Sequence, residues 1–340
     1  MPFEIVRNDI TNMAVDAIVN TANPLPAIGA GTDARIHEKA GPELLAARQR
    51  IGAIPVGQAA ITPAFHLRAR CVIHTVGPVW QGGGQEEEEL LRSCYDNALS
   101  LAWKHKCQSI AFPLIATGNY GFPKDRALQI AISAFSAFLL EHEMRIYLVV
   151  FDRAAFQLSE KLFRSVASYI DENYVDAFRP AEESRRGWDR EPCQSMASWE
   201  ERPLPSMSMP MPMAMPVAAS LEELVRQTDA GFTETLLKLI DQSGKKDSEI
   251  YKRANLSRQH FSKIRNNPDY NPTKPTAIAL ALALELDLEE TRDLIGRAGY
   301  ALTNSSKFDL IIRYFIERGN YNVMEINLAL YEFDQSLLGT

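Results

Sequence analysis

Along residues 1–176, short apolar runs alternate with longer segments whose apolar positions recur every three or four residues. The short runs predict strands over 3–7, 17–20, 59–62, 71–76, 109–114 and 146–151. The last four are rich in Val, Ile and Phe and almost continuously apolar, as strands covered on both faces must be. Helical spacing runs over 33–50, 87–105, 124–142 and 153–173, and in the third of these Leu128, Ile132, Phe135, Phe138 and Leu139 mark one face. This alternation predicts an α/β unit with a mostly parallel sheet packed between helices. Ligands of such sheets bind at the carboxyl ends of the strands.

The periodicity stops over 177–219, which holds seven prolines and the tract SMSMPMPMAMP and reads as a disordered or extended linker. Its methionines are soft donors of the kind that take Cu(I). No His or Cys lies within the tract to complete such a site, so a low-complexity tether is the reading adopted. Residues 220–340 return to helical spacing, with helices expected over 221–228, 232–242, 247–254, 258–266, 276–285, 288–298, 307–318 and 323–333. Short turns at Ser243-Gly244, Asn267-Pro268 and Gly319-Asn320 separate some of them, as in an all-α domain.

Charge and composition narrow the classes. With 36 Lys and Arg against 43 Asp and Glu, the net charge of −7 argues against a protein that coats nucleic acid or anionic membrane over its whole surface. No apolar run reaches about 18 residues, so no membrane partner is expected. The opening MPFEIVRND lacks the basic and apolar regions of a secretory signal. The four cysteines show no paired spacing, which fits reduced thiols and a cytoplasmic location.

Candidate chemistry sits in two loops. The stretch VNTANPLPAIGAGTDARIHEKAG follows the second predicted strand and brings Asn20, Asn23, Gly29, Gly31 and Asp33 together ahead of a helix. Glycines let backbone N–H groups converge, and a helix N-terminus adds a positive dipole end, so the pattern suits a phosphorylated, hydroxyl-rich ligand. The second loop, IATGNYGFPKD, repeats the arrangement after the strand over 109–114, with Gly118 and Gly121 around Asn119 and Tyr120. Two such loops form a clamp for a pyrophosphate.

The runs RNDIT, VDAIVNTAN, GAGTDARIHEKAGPEL, VIHTVGPVW and SIAFPLIATGNYGFP together resemble the macrodomain family, in its MacroD-type branch, over residues 1 to about 175. The resemblance implies a three-layer α/β/α macrodomain that binds ADP-ribose or ADP-ribosylated protein. It implies removal of ADP-ribose from acidic side chains or deacetylation of O-acetyl-ADP-ribose. It further implies that Asp9, with Ile10 beside it, selects adenine, and that Ala22 and Asn23 approach the distal ribose. Gly29, Gly31 and Thr32 correspond to the turn around the diphosphate. Thr117, Gly118, Asn119 and Tyr120 correspond to the second phosphate loop, and Asp33 to the catalytic aspartate, with Asn20 and Asn23 holding ribose hydroxyls. Neither metal nor cofactor is called for. Where many relatives carry an unbroken glycine run, this chain has Ala27-Ile28-Gly29-Ala30-Gly31-Thr32. That leaves open a non-catalytic reader of ADP-ribose as the alternative to a hydrolase. Arg35 is expected to project toward the entrance of the site.

In the C-terminal region, KKDSEIYKRANLSRQHFSKIRNN resembles the repressor-like helix-turn-helix, with Ser257 capping a second helix that leads with Arg258, Gln259 and His260. Those positions face the major groove in that motif. Residues 245–274 carry eight Lys and Arg against three Asp and Glu, within a region of fifteen basic and eighteen acidic residues. DNA and a protein partner both remain open for this surface.

Overall fold

The computed structural model describes residues 2–150, 160–178 and 230–339. Of the linker expected over 177–219, residues 177–178 end a helix instead and the rest lies outside the described residues, as do the helix expected over 221–228 and the start of the helix expected over 153–173. Six strands, β1 (Phe3–Arg7), β2 (Ala17–Thr21), β3 (Ala59–Pro63), β4 (Cys71–Thr75), β5 (Ser109–Phe112) and β6 (Arg145–Val150), form one sheet in the order β1-β6-β5-β2-β4-β3. Neighbours run parallel except β3, which pairs antiparallel with β4. The strand order reverses direction between β5 and β2, and the loops that follow these two strands are the two glycine-rich stretches. A crevice at that position is where open α/β sheets bind ligands.

Five helices accompany the sheet: α1 (Thr32–Ala40), α2 (Pro42–Ile51), α3 (Glu87–Lys104), α4 (Lys124–Glu141) and α5 (Glu160–Phe178). The single helix expected over 33–50 is two. Gly41 adopts φ +90° between them, and Pro42, which has no N–H to give, starts the second. A Cβ at Gly41 would stand 2.7 Å from His66 Nδ1, so the break is also a close approach. On α4, Leu128, Ile132, Phe135 and Leu139 are buried as the spacing predicts, with Phe135 against Phe3, Phe112 and Tyr95. Phe138, expected on the same face, is only partly buried and meets Trp103 and His142.

The C-terminal region is helical throughout its described elements: α6 (Phe232–Ser243), α7 (Asp247–Arg253), α8 (Arg258–Arg265), α9 (Lys274–Ala283), α10 (Leu288–Gly296), α11 (Lys307–Glu317) and α12 (Val323–Glu332). From Thr276 to Ala283 helix α9 is buried all round and almost wholly apolar, the hallmark of a central helix. No described helix is long and apolar enough to cross a membrane.

These helices share one apolar core with the sheet. Ser136 on α4 donates to Met324 Sδ at 3.2 Å, and Lys252 Nζ to the Leu140 carbonyl at 2.8 Å. On α5, Tyr169 donates to Glu317 at 2.7 Å and the Phe163 ring stacks on Phe333. The most specific contact is at Asn255, in the turn between α7 and α8. Its Oδ1 accepts the Phe3 N–H and its Nδ2 donates to the Phe3 carbonyl, both at 3.0 Å, so one amide completes the outer edge of β1. Asn255 is fully buried and holds φ +56°, a conformation asparagine tolerates better than most residues. The turn thereby meets two backbone groups of a sheet edge that would otherwise be unpaired.

Replacing Asn255 with glycine keeps the positive φ and removes only the amide. Two buried backbone groups then lose their partners, and the change is expected to cost about 1–3 kcal/mol. Urea unfolding monitored by far-UV circular dichroism measures it; an unaltered midpoint would show that the contact carries no stability.

Candidate functional site

A cleft of about 430 Å³ opens between the two glycine-rich loops. Its lining brings together Ala22, Asn23, Gly29, Gly31, Thr32, Asp33, Thr117, Gly118, Asn119 and Tyr120, all singled out in the sequence. Asn20 lies beneath this lining rather than in it, and Asp9 and Ile10 lie outside it.

The floor is organised by Asp33, in the first turn of α1 and 2% exposed. Asn20 Nδ2 donates to its Oδ1 at 2.6 Å, and the Gly29 N–H donates to its Oδ2 at 2.5 Å. His37, one turn further along α1, places Nε2 3.6 Å from Oδ1. The carboxylate therefore bends the first loop onto itself. A Cβ at Gly29 would meet Asn23 Nδ2 at 3.0 Å and Asp33 Oδ2 at 3.3 Å, so this position has little room for a side chain. Gly31 precedes α1 at φ +65° and offers no side-chain cap, which leaves the helix N-terminus to an incoming anion. Ala30, which stands where a glycine was expected, is exposed on the cleft wall.

The second loop is shaped by its own backbone. The Gly121 N–H donates to the Gly118 carbonyl and the Phe122 N–H to that of Ala116, at 2.9 and 3.1 Å, with Ala116 and Gly121 both at positive φ. The Trp80 N–H holds the Tyr120 carbonyl at 2.9 Å. Thr117 gives its hydroxyl to the Leu114 carbonyl at 3.0 Å.

Three residues of the site carried no assigned role in the sequence. Arg48, 2% exposed, donates to the carbonyls of Asn23, Pro24 and Gly52 and so staples the first loop to α2. Gly77 lines the cleft, and a Cβ there would sit 2.9 Å from the Ala116 Cβ, so this glycine lets the loop after β4 approach the second site loop. Lys124 brings a positive charge to the cleft from the start of α4; the only signal for it was its place in GFPKD, directly after the second loop.

Asp9 caps a short turn, accepting the Thr11 N–H and hydroxyl on Oδ1, while Arg35 Nη1 reaches its Oδ2 at 3.3 Å. Burial works against ionisation of Asp9, but the Thr11 bonds and the Arg35 charge outweigh it and hold its pKa below the usual value. Arg35, expected to project toward the entrance, is half-exposed and paired with Asp9.

Beneath the floor lies a second histidine. His74 on β4 is fully buried, and burial, then the Arg48 and His37 charges, push its pKa down to about 3. For His37, burial also lowers the pKa; Asp33 pulls it up and Arg48 adds to the lowering.

The C-terminal residues behave differently from one another. Ser257 accepts the His260 N–H at 3.1 Å, as expected of a cap, and Arg258 and Gln259 are exposed. His260 is half-buried with Nε2 on the Tyr270 hydroxyl at 2.9 Å, so its ring is not offered outward with the other two. Much of the local basic charge is spent in ion pairs: Lys245 and Arg253 with Glu285, Arg265 with Asp247, Lys274 with Asp309. Lys246, Arg258 and Lys263 keep no acidic partner among the described residues.

Known proteins resemble the N-terminal part of the chain. The model of the family described as Macro domain matches residues 19–131. A "Macro domain-containing protein" of Methanosarcina mazei is 48% identical over 151 residues, which is 44% of this chain and 81% of that protein. A protein of Escherichia coli named O-acetyl-ADP-ribose deacetylase is 46% identical over 164 residues, 46% of this chain and 93% of that protein. A solved Oceanobacillus iheyensis macrodomain with ADP is 42% identical and spans 45% of this chain and 85% of that one, with a TM-score of 0.44.

Two outcomes follow from the buried groups. His74 binds its proton near pH 3 when folded and near 6.5 when unfolded, so the unfolded chain takes up more protons as pH falls through that window. Stability is complete above about pH 6.5 and is expected to drop by about 1.4 kcal/mol per pH unit below it from this residue. Thermal melts between about pH 7.5 and 5 test this; a midpoint that holds steady would contradict it. Asp33→Asn replaces an acceptor of two bonds with a group that must point an NH₂ at one of its donors. It is expected to destabilise the protein without ligand by about 1–3 kcal/mol, read by calorimetry, and an unchanged melting temperature would refute the bonding pattern.

Proposed function

The chain belongs to the macro domain family, and on that premise we propose that it binds ADP-ribose and hydrolyses esters of it. The substrates are O-acetyl-ADP-ribose or ADP-ribose joined to acidic side chains of proteins. The observation that carries this reading is the buried Asp33 carboxylate, fixed by Asn20 and Gly29 at the floor of a cleft walled by two glycine-rich loops. The diphosphate lies between the N-terminus of α1 and the second loop, with Gly29, Gly31, Thr32, Thr117, Gly118 and Asn119 around it and Lys124 supplying positive charge. Tyr120, Ala22 and Asn23 flank the distal ribose. Asp9 Oδ2 receives the adenine amine once Arg35 yields that oxygen.

Each Asp33 oxygen keeps a lone pair after accepting one hydrogen bond, so the carboxylate can orient and deprotonate a water in the cleft. In the deacetylation, that water adds to the acyl carbon, the ester C–O bond breaks, and the ribose oxygen leaves with a proton as acetate forms. Positioning of the water against the ester supplies much of the acceleration. The Escherichia coli relative named for this activity supports the assignment.

A second element of the proposal concerns α7 and α8. The capped N-terminus of α8, with Arg258 and Gln259 exposed, favours a helix-turn-helix surface that contacts DNA. The ADP-ribose unit would then act as a sensor or reader for that surface.

Incubating the protein with O-acetyl-ADP-ribose and with automodified ADP-ribosyltransferase tests the first reading. Release of acetate or ADP-ribose is expected, falling at least 100-fold in Asp33→Ala. Binding of ADP-ribose with no release from either substrate would identify a reader instead. For the second, a mobility shift on duplex DNA should weaken steeply as salt is raised. Binding that is absent at low salt, or unaltered in Arg258→Ala, would remove DNA from the proposal.

A further inference from the structure

Four buried polar side chains from four elements form a line that the catalytic reading above does not use in full. Thr62 on β3, His74 on β4, Asn20 on β2 and Asp33 on α1 are 4%, 0%, 0% and 2% exposed. Thr62 Oγ1 is 2.9 Å from His74 Nε2, His74 Nδ1 is 3.2 Å from Asn20 Nδ2, and the same Nδ2 is 2.6 Å from Asp33 Oδ1. Asn20 and His74 are register partners across β2 and β4, so the sheet itself fixes their spacing. From Asp33 the line continues to the Gly29 N–H and thus to the cleft wall.

The hydrogen positions along this line are not independent. Asn20 points its NH₂ at Asp33, because the flipped amide would set Oδ1 against a carboxylate. The same NH₂ faces His74 Nδ1, which must then accept, and the ring proton belongs on Nε2, where it is donated to Thr62. A ring protonated on Nδ1 would oppose the Asn20 NH₂ with a second donor. It would turn the amide and withdraw the donor from Asp33. This arrangement leaves Asn20 Oδ1 buried without a hydrogen-bond partner among the described residues, the cost of turning the NH₂ toward the other two contacts. Burial of the ring, then the nearby Arg48 and His37 charges, keep it uncharged.

We propose that His74 is a positioning residue of this site: with its proton on Nε2 and donated to Thr62, it locks the Asn20 amide, which in turn holds Asp33 and the Gly29 loop in their reactive arrangement. The proposal rests on the hydrolase reading for its kinetic test, but the tautomer can be read without any activity.

The tautomer is measured on the wild-type protein by ¹⁵N–¹H correlation of the histidine ring at pH 7. A neutral ring with its proton on Nε2 is expected for His74; a proton on Nδ1, or a charged ring, overturns the proposal. Thr62→Val is nearly isosteric and removes the acceptor that selects this tautomer, so it is the variant least prone to misfold. Thr62→Val and His74→Leu are each expected to lower kcat at least tenfold with KM within threefold. His74→Gln, which accepts from Asn20 and donates to Thr62, should recover most of the loss. Wild-type kcat in Thr62→Val or His74→Leu, or equal loss in His74→Leu and His74→Gln, overturns the positioning role. Should the wild type bind ADP-ribose without turnover, the hydrolase reading fails and the same variants are read by ADP-ribose affinity. A tenfold weakening in Thr62→Val and His74→Leu with recovery in His74→Gln then sustains the proposal, and unchanged affinities overturn it.

Discussion

Burying the Asp33 carboxylate is the constraint on which the rest of the site depends. A charge removed from water must be met by hydrogen-bond donors, and the supply here is short and local: the Asn20 amide from the sheet and the Gly29 N–H from the loop. Meeting that demand decides the shape of the first loop, because the Gly29 backbone must come to the carboxylate. Arg48 then fixes the other end of the loop through the Asn23 and Pro24 carbonyls. The same carboxylate thus serves as a structural anchor and as the chemical group facing the cleft. A substitution there disturbs both roles, so loss of activity in such a variant is informative only beside a measurement of folding.

The sheet supplies the second level of organisation. Its order places β2 and β5 side by side at its centre, so the loops that follow them face one another across the cleft. Gly77 permits the chain after β4 to close against the second loop. At the far edge, β1 is paired with β6 on one side and with the Asn255 amide on the other. Strand β1 leads at one end to Asp9 and at the other is held by the turn between α7 and α8. The helical region is therefore built into the sheet's edge and core, which is more intimate than the tether expected from the proline-rich stretch.

Much of this was legible in the chain because it rests on periodicity and turn chemistry. The strands over 3–7 and 59–62 and the helices over 87–105 and 124–142 agree with the structure to within a residue or so, since alternating apolar runs and helical stripes are local properties. The two glycine loops were legible for the same reason, as glycines after strands and before helices. Less was legible where a residue acts over distance. Nothing near Arg48 marks it as the staple of a loop 24 residues earlier. His260 was grouped with Arg258 and Gln259 by sequence spacing, yet a contact with Tyr270 turns it aside. Lys245 to Lys274 counted as a basic patch, but Glu285 and Asp309, distant in sequence, neutralise part of it.

By itself, then, the sequence determined the element types, the α/β alternation followed by helices, and the two glycine-rich loops that wall the cleft. Each of these follows from the character of a residue and its immediate neighbours. Only the tertiary structure decided that β3 runs antiparallel, that Asp33 is buried in the cleft floor with Asn20 beneath it, that Asp9 is engaged by Arg35, and that Asn255 pairs with Phe3 at the edge of β1. These outcomes come from pairings between groups far apart along the chain. Buried polar atoms must find partners wherever the packed chain brings them, and that geometry is not written in any local stretch.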